Sequence, residues 1–176
     1  YNDEGESQIP VQIDRLRDVV GISQGHQFSL ALKSDGTVWA WGSNTVGQLG
    51  DGTVVVRSTP VQVDGLSDVV ALSAYEQSMA LKSDGTVWAW GNNNWGQLGD
   101  GTKENRLVPV QVSALSSITA VTAGSSHAMA LKSDGTIWTW GRNDTGQLGI
   151  GSTAEKPAPT HVTGLEGVSY TDSGYS

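Results

Sequence analysis

The 176-residue chain has no cysteine. Disulfides, thiolate nucleophiles and zinc–cysteine centres are thereby excluded, and a chain without thiols tolerates any redox compartment. Charge is scarce, at 16% of residues, and basic charge scarcer: 10 Lys and Arg stand against 18 Asp and Glu, a formal net charge of −8. A surface of that sign repels phosphate backbones, and the basic residues form no stripe, so no nucleic-acid partner is expected. No apolar run approaches the ~20 residues of a membrane-crossing helix, and no membrane span is expected. The N-terminus lacks a charged-then-apolar leader, although the first residue is Tyr1 rather than Met, as after removal of a signal.

Catalytic signatures are missing as well. The glycine-rich "GQLGDG" (47–52) precedes no helical pattern and lacks the Gly-Lys-Ser/Thr ending of a phosphate cradle. "GSSH" (124–127) puts two serines beside His127 but supplies no G-x-S-x-G elbow. Asp51 and Asp100 lie in no calcium-loop pattern, and the third equivalent position is Ile150. "NDT" (143–145) matches the glycosylation pattern in a form as short as chance produces. The expectation is a protein without catalytic residues, cofactor or metal.

Glycine, tryptophan and repetition are abundant. The chain has 23 Gly and 7 Trp, and "KSDGTVWAWG" occurs at 33–42 and 82–91 and, with two changes, at 132–141. Prolines opening a related segment stand at Pro10, Pro60, Pro109 and Pro159, at spacings of 50, 49 and 50. These divide the chain into the end of a preceding repeat (1–9), three repeats (10–59, 60–108, 109–158) and a truncated fourth (159–176). Both ends fall mid-repeat, which suggests a piece of a longer protein or an arc completed by self-association, since uncapped repeat arrays expose apolar surface and open edges.

Within each unit the residues favour strands. "SMALK" and "TVWAW" are short, rich in β-formers and separated by "SDG". Asp-Gly suits a tight hairpin, with Gly36, Gly85 and Gly135 taking positive φ and the preceding Asp tolerating it. "PVQV" and "DVVALSA" supply two more strands, the former with Pro at its start. Four strands in about fifty residues without a helical period describe an all-β propeller blade. The pairs Trp39/Trp41, Trp88/Trp90 and Trp138/Trp140 each share one strand face and are expected to pack between blades.

The string A-L-K-S-D-G-T-V-W-A-W-G-x-N-x-x-G-Q-L-G-D-G-T resembles the repeat of the regulator of chromosome condensation family, over nearly all of residues 10–168. The resemblance implies a seven-bladed β-propeller, of which this chain supplies about half. It also implies Gly-x-x-His before the central hairpin, matched by Gly124 and His127 but by Gly25/Phe28 and Ala74/Gln77 elsewhere. A histidine kept once in three suits a structural hydrogen-bonder; His26 and His161 suit packing or solvation. Guanine-nucleotide exchange on a small GTPase, the namesake's activity, depends on a projecting wedge for which units of 49–50 residues leave no room. The ultraviolet-sensing members resemble a Gly-Trp-Arg-His pattern that is absent here. A β-lactamase-inhibitor-like propeller would be one case of protein binding. The reading that follows is a non-catalytic protein–protein interaction scaffold, with an extracellular or bacterial cell-surface setting slightly favoured by analogy.

Variation concentrates in two stretches per unit, "SNTV", "NNNW" and "RNDT" after each Trp-Gly, and "VVVRS", "KENRL" and "TAEKP" before each proline-led strand. Loops of this kind carry recognition on rigid scaffolds, and they also drift neutrally. The candidate interaction residues are Val46, Asn94, Trp95, Lys103, Glu104, Arg106, Arg142 and Asp144. Trp95 stands where the other repeats have Val46 and Thr145, so it is either a recognition aromatic or the filler of a local gap.

Overall fold

The computed structural model describes residues 12–13 and 16–169, and among these no helix occurs. Blade 1 comprises β1 (Val19–Gly25), β2 (Phe28–Lys33), β3 (Val38–Gly42) and β4 (Arg57–Gln62). Blade 2 comprises β5 (Val69–Ala74), β6 (Gln77–Lys82), β7 (Val87–Gly91) and β8 (Arg106–Gln111). Blade 3 comprises β9 (Ile118–Ala123), β10 (His127–Lys132), β11 (Ile137–Gly141) and β12 (Lys156–His161). Each is an antiparallel four-stranded sheet in chain order, the up-and-down arrangement of a propeller blade. The opening strands β1, β5 and β9 adjoin one another across blades, and β4, β8 and β12 form the outer edges.

The sheets are out of phase with the sequence units. The proline-led strand closes one blade rather than opening the next: β4 pairs with β3, through Ala40↔Val61 and Gly42↔Arg57. The proline does not stand at the strand's start either. Pro60, Pro109 and Pro159 lie inside β4, β8 and β12, beside a register shift on the sheet's outer edge, where a missing N–H breaks no ladder. Residues 1–9, assigned to a preceding repeat, and 170–176 of the truncated fourth lie outside the described residues. The rest of the fourth unit continues the pattern, with Val162 buried and Val168 N–H donating to Gly135 O at 3.3 Å.

The central hairpin differs from a two-residue Asp-Gly turn. Gly36 N–H donates to Lys33 O at 2.9 Å, and only the glycine takes positive φ: +78° at Gly36, +78° at Gly85 and +80° at Gly135. This is a three-residue loop closed by a glycine in the left-handed region. The aspartate caps it instead: the Thr37 N–H and hydroxyl donate to Asp35 Oδ1 at 3.0 and 2.6 Å. The same caps recur at Asp84 and Asp134. Hydrogen bonds from Thr136 hold the Asp134 carboxyl down at about 2. Each loop also touches the next blade, for Val69 N–H donates to Gly36 O and Ile118 N–H to Gly85 O, each at 3.2 Å. A Cβ on Gly85 would lie 3.2 Å from the Ser117 Cα and N. Gly85→Val is therefore expected to destabilise the fold by about 1–3 kcal/mol, the cost of forcing a β-branched residue into this region. A denaturant melt indistinguishable from wild type would contradict that assignment.

The blades meet through the second tryptophan of each pair. Trp90 and Trp140 are 0% exposed. Their indole N–H groups donate to carbonyls of the preceding blade, Trp90 to Gln48 O at 3.0 Å and Trp140 to Gln97 O at 2.8 Å. Around Trp90, Leu30, Val38, Leu49 and Val63 of blade 1 pack against Val69, Leu72 and Ala80 of blade 2. Around Trp140 the same positions recur as Met79, Val87, Leu98 and Val112 against Ile118, Val121 and Ala130. The first tryptophan of each pair is only half-buried; Lys33 and Lys82 ammonium groups lie 6.0 and 5.8 Å from the Trp39 and Trp88 ring centroids. Trp41, whose rear neighbour is absent from the described residues, is half-buried too.

The β9–β10 turn is filled by His127. Its imidazole is buried with Nδ1 unpartnered, and the ring lies over Gly124, where a Cβ would come within 2.4 Å of Cε1. Burial pushes its pKa below the usual histidine value. The ring packs on the turn glycine. Phe28 covers Gly25 in the same way. In blade 2, strand pairing sets Ala74 opposite Ser78, so Tyr75 and not Ala74 takes the glycine's place. That exchange is permitted because Gln77 puts no ring there: its amide donates across the joint to Gly124 O and His127 O, both at 3.1 Å. His26 and His161 pack, one stacked at 6.3 Å on Tyr75 and the other 5.5 Å from the Trp138 ring.

Candidate interaction face

Antiparallel order brings the β1–β2, β5–β6 and β9–β10 turns to one end of the blades, together with the long loops 43–56, 92–105 and 142–155. Hydrogen bonds tie turn to loop: Ser43 N–H donates to Gln27 O and Arg142 N–H to Ser126 O, each at 2.8 Å. Asn92 Nδ2 donates to Glu76 Oε2 at 2.9 Å.

Each long loop is built around an asparagine that is 0% exposed, Asn44, Asn93 or Asn143. Asn93 Nδ2 donates to Thr102 O at 3.2 Å and Glu104 O at 3.0 Å, and its Oδ1 accepts from Leu98 N–H at 3.0 Å. Asn143 makes the matching bonds to Ser152 O, Ala154 O and Leu148 N–H. A single side chain thus closes each loop on itself. Two loops carry a further clamp: Arg57 Nε and Nη2 both reach Asp51 Oδ2 at 2.7 Å, and Arg106 does the same to Asp100. Burial opposes ionisation of Asp51 and Asp100, but hydrogen bonds from the following threonine and from the arginine outweigh it and hold both carboxyls below their usual range. In blade 3 the pair is replaced by Ile150 and Lys156.

On this frame the candidate residues separate. Trp95, 38% exposed, lies under the Arg142 guanidinium, whose Cζ is 4.9 Å from the ring centroid. Arg142 in turn pairs with Asp144 at 2.6 Å, which raises the arginine's pKa and lowers the aspartate's. Trp95, Arg142 and Asp144 therefore form one cluster across the loops of blades 2 and 3. Lys103 is exposed and bridges the same two loops through an ion pair with Glu155, a partner the sequence reading did not single out. Asn94 and Glu104 are exposed along the blade-2 loop. Arg106 is not available in the same sense, since its guanidinium is engaged by Asp100 inside its own loop.

Val46 lies apart from that cluster, at the joint of blades 1 and 2. There it helps line a recess of about 160 Å³ with His26, Thr45, Gln48, Glu76 and Asn92. The contrast between the two joints follows from two substitutions. Where the first has Val46 and Asn92, the second has Trp95 and Arg142, and the stacked pair occupies the corresponding space.

The model of the RCC1-like domain matches residues 1–175. The chain is similar to the E3 ubiquitin-protein ligase HERC2 of Homo sapiens and of Mus musculus, at 45% identity over 60 residues in each case, 33% of this chain and 1% of either relative. Its fold is similar to that of human WBSCR16, with a TM-score of 0.79 at 23% identity over 92% of this chain and 43% of that one. It is likewise similar to Prp20p of Saccharomyces cerevisiae, with a TM-score of 0.76 at 24% identity over 85% of this chain and 39% of that one. The chain thus spans less than half of either solved relative and one hundredth of the curated ones. A family model covering nearly every residue, on three four-stranded blades of one repeated design, places this chain in the RCC1-like domain family.

Proposed function

We propose that this chain is a non-catalytic protein-interaction module, and that it binds a protein partner through the loop face of blades 2 and 3. One observation carries the reading. The residues identical between repeats are spent on turns, loop closure and blade joints, whereas three residues that differ between repeats, Trp95, Arg142 and Asp144, meet at one exposed spot. Aromatic and arginine side chains dominate interface energetics because they bury large area at low conformational cost. The acidic surface and the Arg142–Asp144 pair suit a partner with its own mixed charge. Support for protein binding in the family comes from Prp20p, described with binding properties to Gsp1p and histones and also as bound to Kap60.

Trp95→Thr is the informative variant, because threonine is what repeat three carries at this position. A half-exposed ring under an arginine contributes about 0.5–1 kcal/mol. Thermal melting is therefore expected to stay nearly unchanged, while affinity for a partner captured from the source proteome falls by about 2 kcal/mol or more. Unchanged capture, or a Trp95→Thr chain that melts far earlier than wild type, would assign the ring to packing and overturn the reading. Nucleotide release from small GTPases is expected to be unaffected by the chain.

A further inference from the structure

The first joint keeps open a polar recess that the second joint fills from its own sequence. At the second, the Arg142 guanidinium stands 4.9 Å from the Trp95 ring centroid, with Asp144 as its counter-charge. At the first, Val46 and Asn92 hold the corresponding positions, and a recess of about 160 Å³ remains. That is small beside the ~300–1,000 Å³ of sites for whole organic ligands, and it suits a single side chain.

The walls of the recess are chemically specific. The turn of blade 2 contributes Glu76, where the turn of blade 3 has Ser126; the carbonyl of each lies against the glycine that ends the Trp-Gly pair, Gly91 or Gly141. Glu76 is half-buried, and its Oε2 accepts from Asn92 Nδ2 at 2.9 Å. Among the described residues its Oε1 accepts no hydrogen bond and the carboxylate enters no ion pair. From blade 1 come the Thr45 hydroxyl, unbonded among the described residues, and Gln48 Oε1, which takes Val46 N–H at 3.0 Å and keeps a second lone pair. Val46 adds apolar surface against which a methylene stem packs. The recess thus gathers acceptors around a carboxylate that the described chain leaves uncompensated.

We propose that this recess receives an arginine side chain of the partner protein, which supplies in trans the guanidinium that Arg142 supplies in cis at the second joint. A planar fork of five donors serves Glu76, Thr45 and Gln48 together, whereas a lysine ammonium is a compact, strongly hydrated point charge. The net charge of −8 works in the same direction by drawing basic segments toward the chain. Asn92 begins the loop that carries Trp95, so recess and aromatic lie on one docking face. That the arginine belongs to a protein rests on the reading above; the preference of the recess for a guanidinium does not.

Titration of the isotope-labelled chain with the blocked tripeptide acetyl-Gly-Arg-Gly-amide, followed by NMR, tests this without any partner. Saturable shifts are expected at the backbone amides of Val46, Glu76 and Asn92. The matching lysine tripeptide should bind at least about threefold more weakly. Glu76→Gln should weaken the arginine tripeptide about fivefold, the loss of a half-exposed ion pair. Val46→Trp combined with Asn92→Arg copies the second joint's pair into the first and should abolish the shifts, with thermal melting as the check on folding. If that double variant does not fold, the nearly isosteric Glu76→Gln decides alone. Shifts that are absent or spread evenly over the surface, equal affinity for the lysine tripeptide, or undiminished binding by either folded variant would each overturn the proposal. Free arginine that binds more tightly than the tripeptide would assign the recess to the amino acid and overturn it as well. Because no partner enters the titration, failure of the Trp95 reading would leave its outcome standing.

Discussion

Trp90→Ala is expected to destabilise the fold by about 3–5 kcal/mol, the usual cost of truncating a large aromatic in a close-packed interior. The indole is completely buried at the first joint, so its removal leaves a cavity bounded by Leu30, Val38 and Leu49 on one blade and Ala80 on the other. It also removes the donor to Gln48 O, leaving that buried acceptor with the Ser78 hydroxyl. Trp41→Ala is the internal control, since the same motif residue, half-buried among the described residues, should lose only a fraction of that amount. Urea denaturation of the two variants checks the pair. Equal losses would show that the tryptophan acts within its own blade and not across the joint.

Asn93→Ala is expected to cost about 2–4 kcal/mol. The substitution leaves Leu98 N–H, Thr102 O and Glu104 O without a partner at the base of the loop, and each buried orphan costs about 1–3 kcal/mol before relaxation. Solvent entering the loosened loop offsets part of the sum. Asn92→Ala, one position earlier and half-buried, loses only a side-chain bond to Glu76 and one from the exposed Asn94 N–H, and should stay within about 1 kcal/mol of wild type. Because Asn93 holds the loop that carries Trp95, its loss should also weaken partner binding, so melts and binding are to be measured together. A stable Asn93→Ala chain would mean that the Asp100–Arg106 clamp suffices to close the loop.

Much of the architecture was legible before the structure because it is local and repeated. Strand composition, the Ser-Asp-Gly spacer and the fifty-residue period are properties of neighbouring residues, and three near-copies make them hard to miss. What escaped involves partners one repeat away or a choice of phase. The sequence shows two tryptophans on one strand face but not that Trp90 is sealed while Trp88 stays half-open, since that depends on the adjoining blade. A periodic sequence can be cut anywhere, so the start at Pro60 says nothing of β4 closing the blade before it. Counting residues set Ala74 in the glycine's place, whereas strand register assigns that place to Tyr75, a shift of one that only hydrogen-bond pairing reveals.

The loop face was partly legible for a different reason. Trp95 stood out as a large aromatic at a tolerant position, yet its stacking under Arg142 joins residues 47 apart and carries no local signal. Arg106 looked as available as Arg142 on a linear view; the Asp100 carboxylate six residues earlier engages it. Asn44, Asn93 and Asn143 were present in the repeated motif as one invariant polar letter. A polar residue kept identical in three copies beside a variable stretch is the signal that could have identified them, because a solvated loop asparagine has no reason to persist.

The separation of tryptophans into architectural and surface roles can be measured directly by hydrogen exchange of the seven indole N–H groups, followed by NMR. The indoles of Trp90 and Trp140, sealed in the joints and bonded to the preceding blade, should exchange slowest, near the rate set by global unfolding. That of Trp95, 38% exposed, should exchange rapidly. Trp90 or Trp140 exchanging as fast as Trp95 would contradict the assignment of the repeated motif to the blade joints.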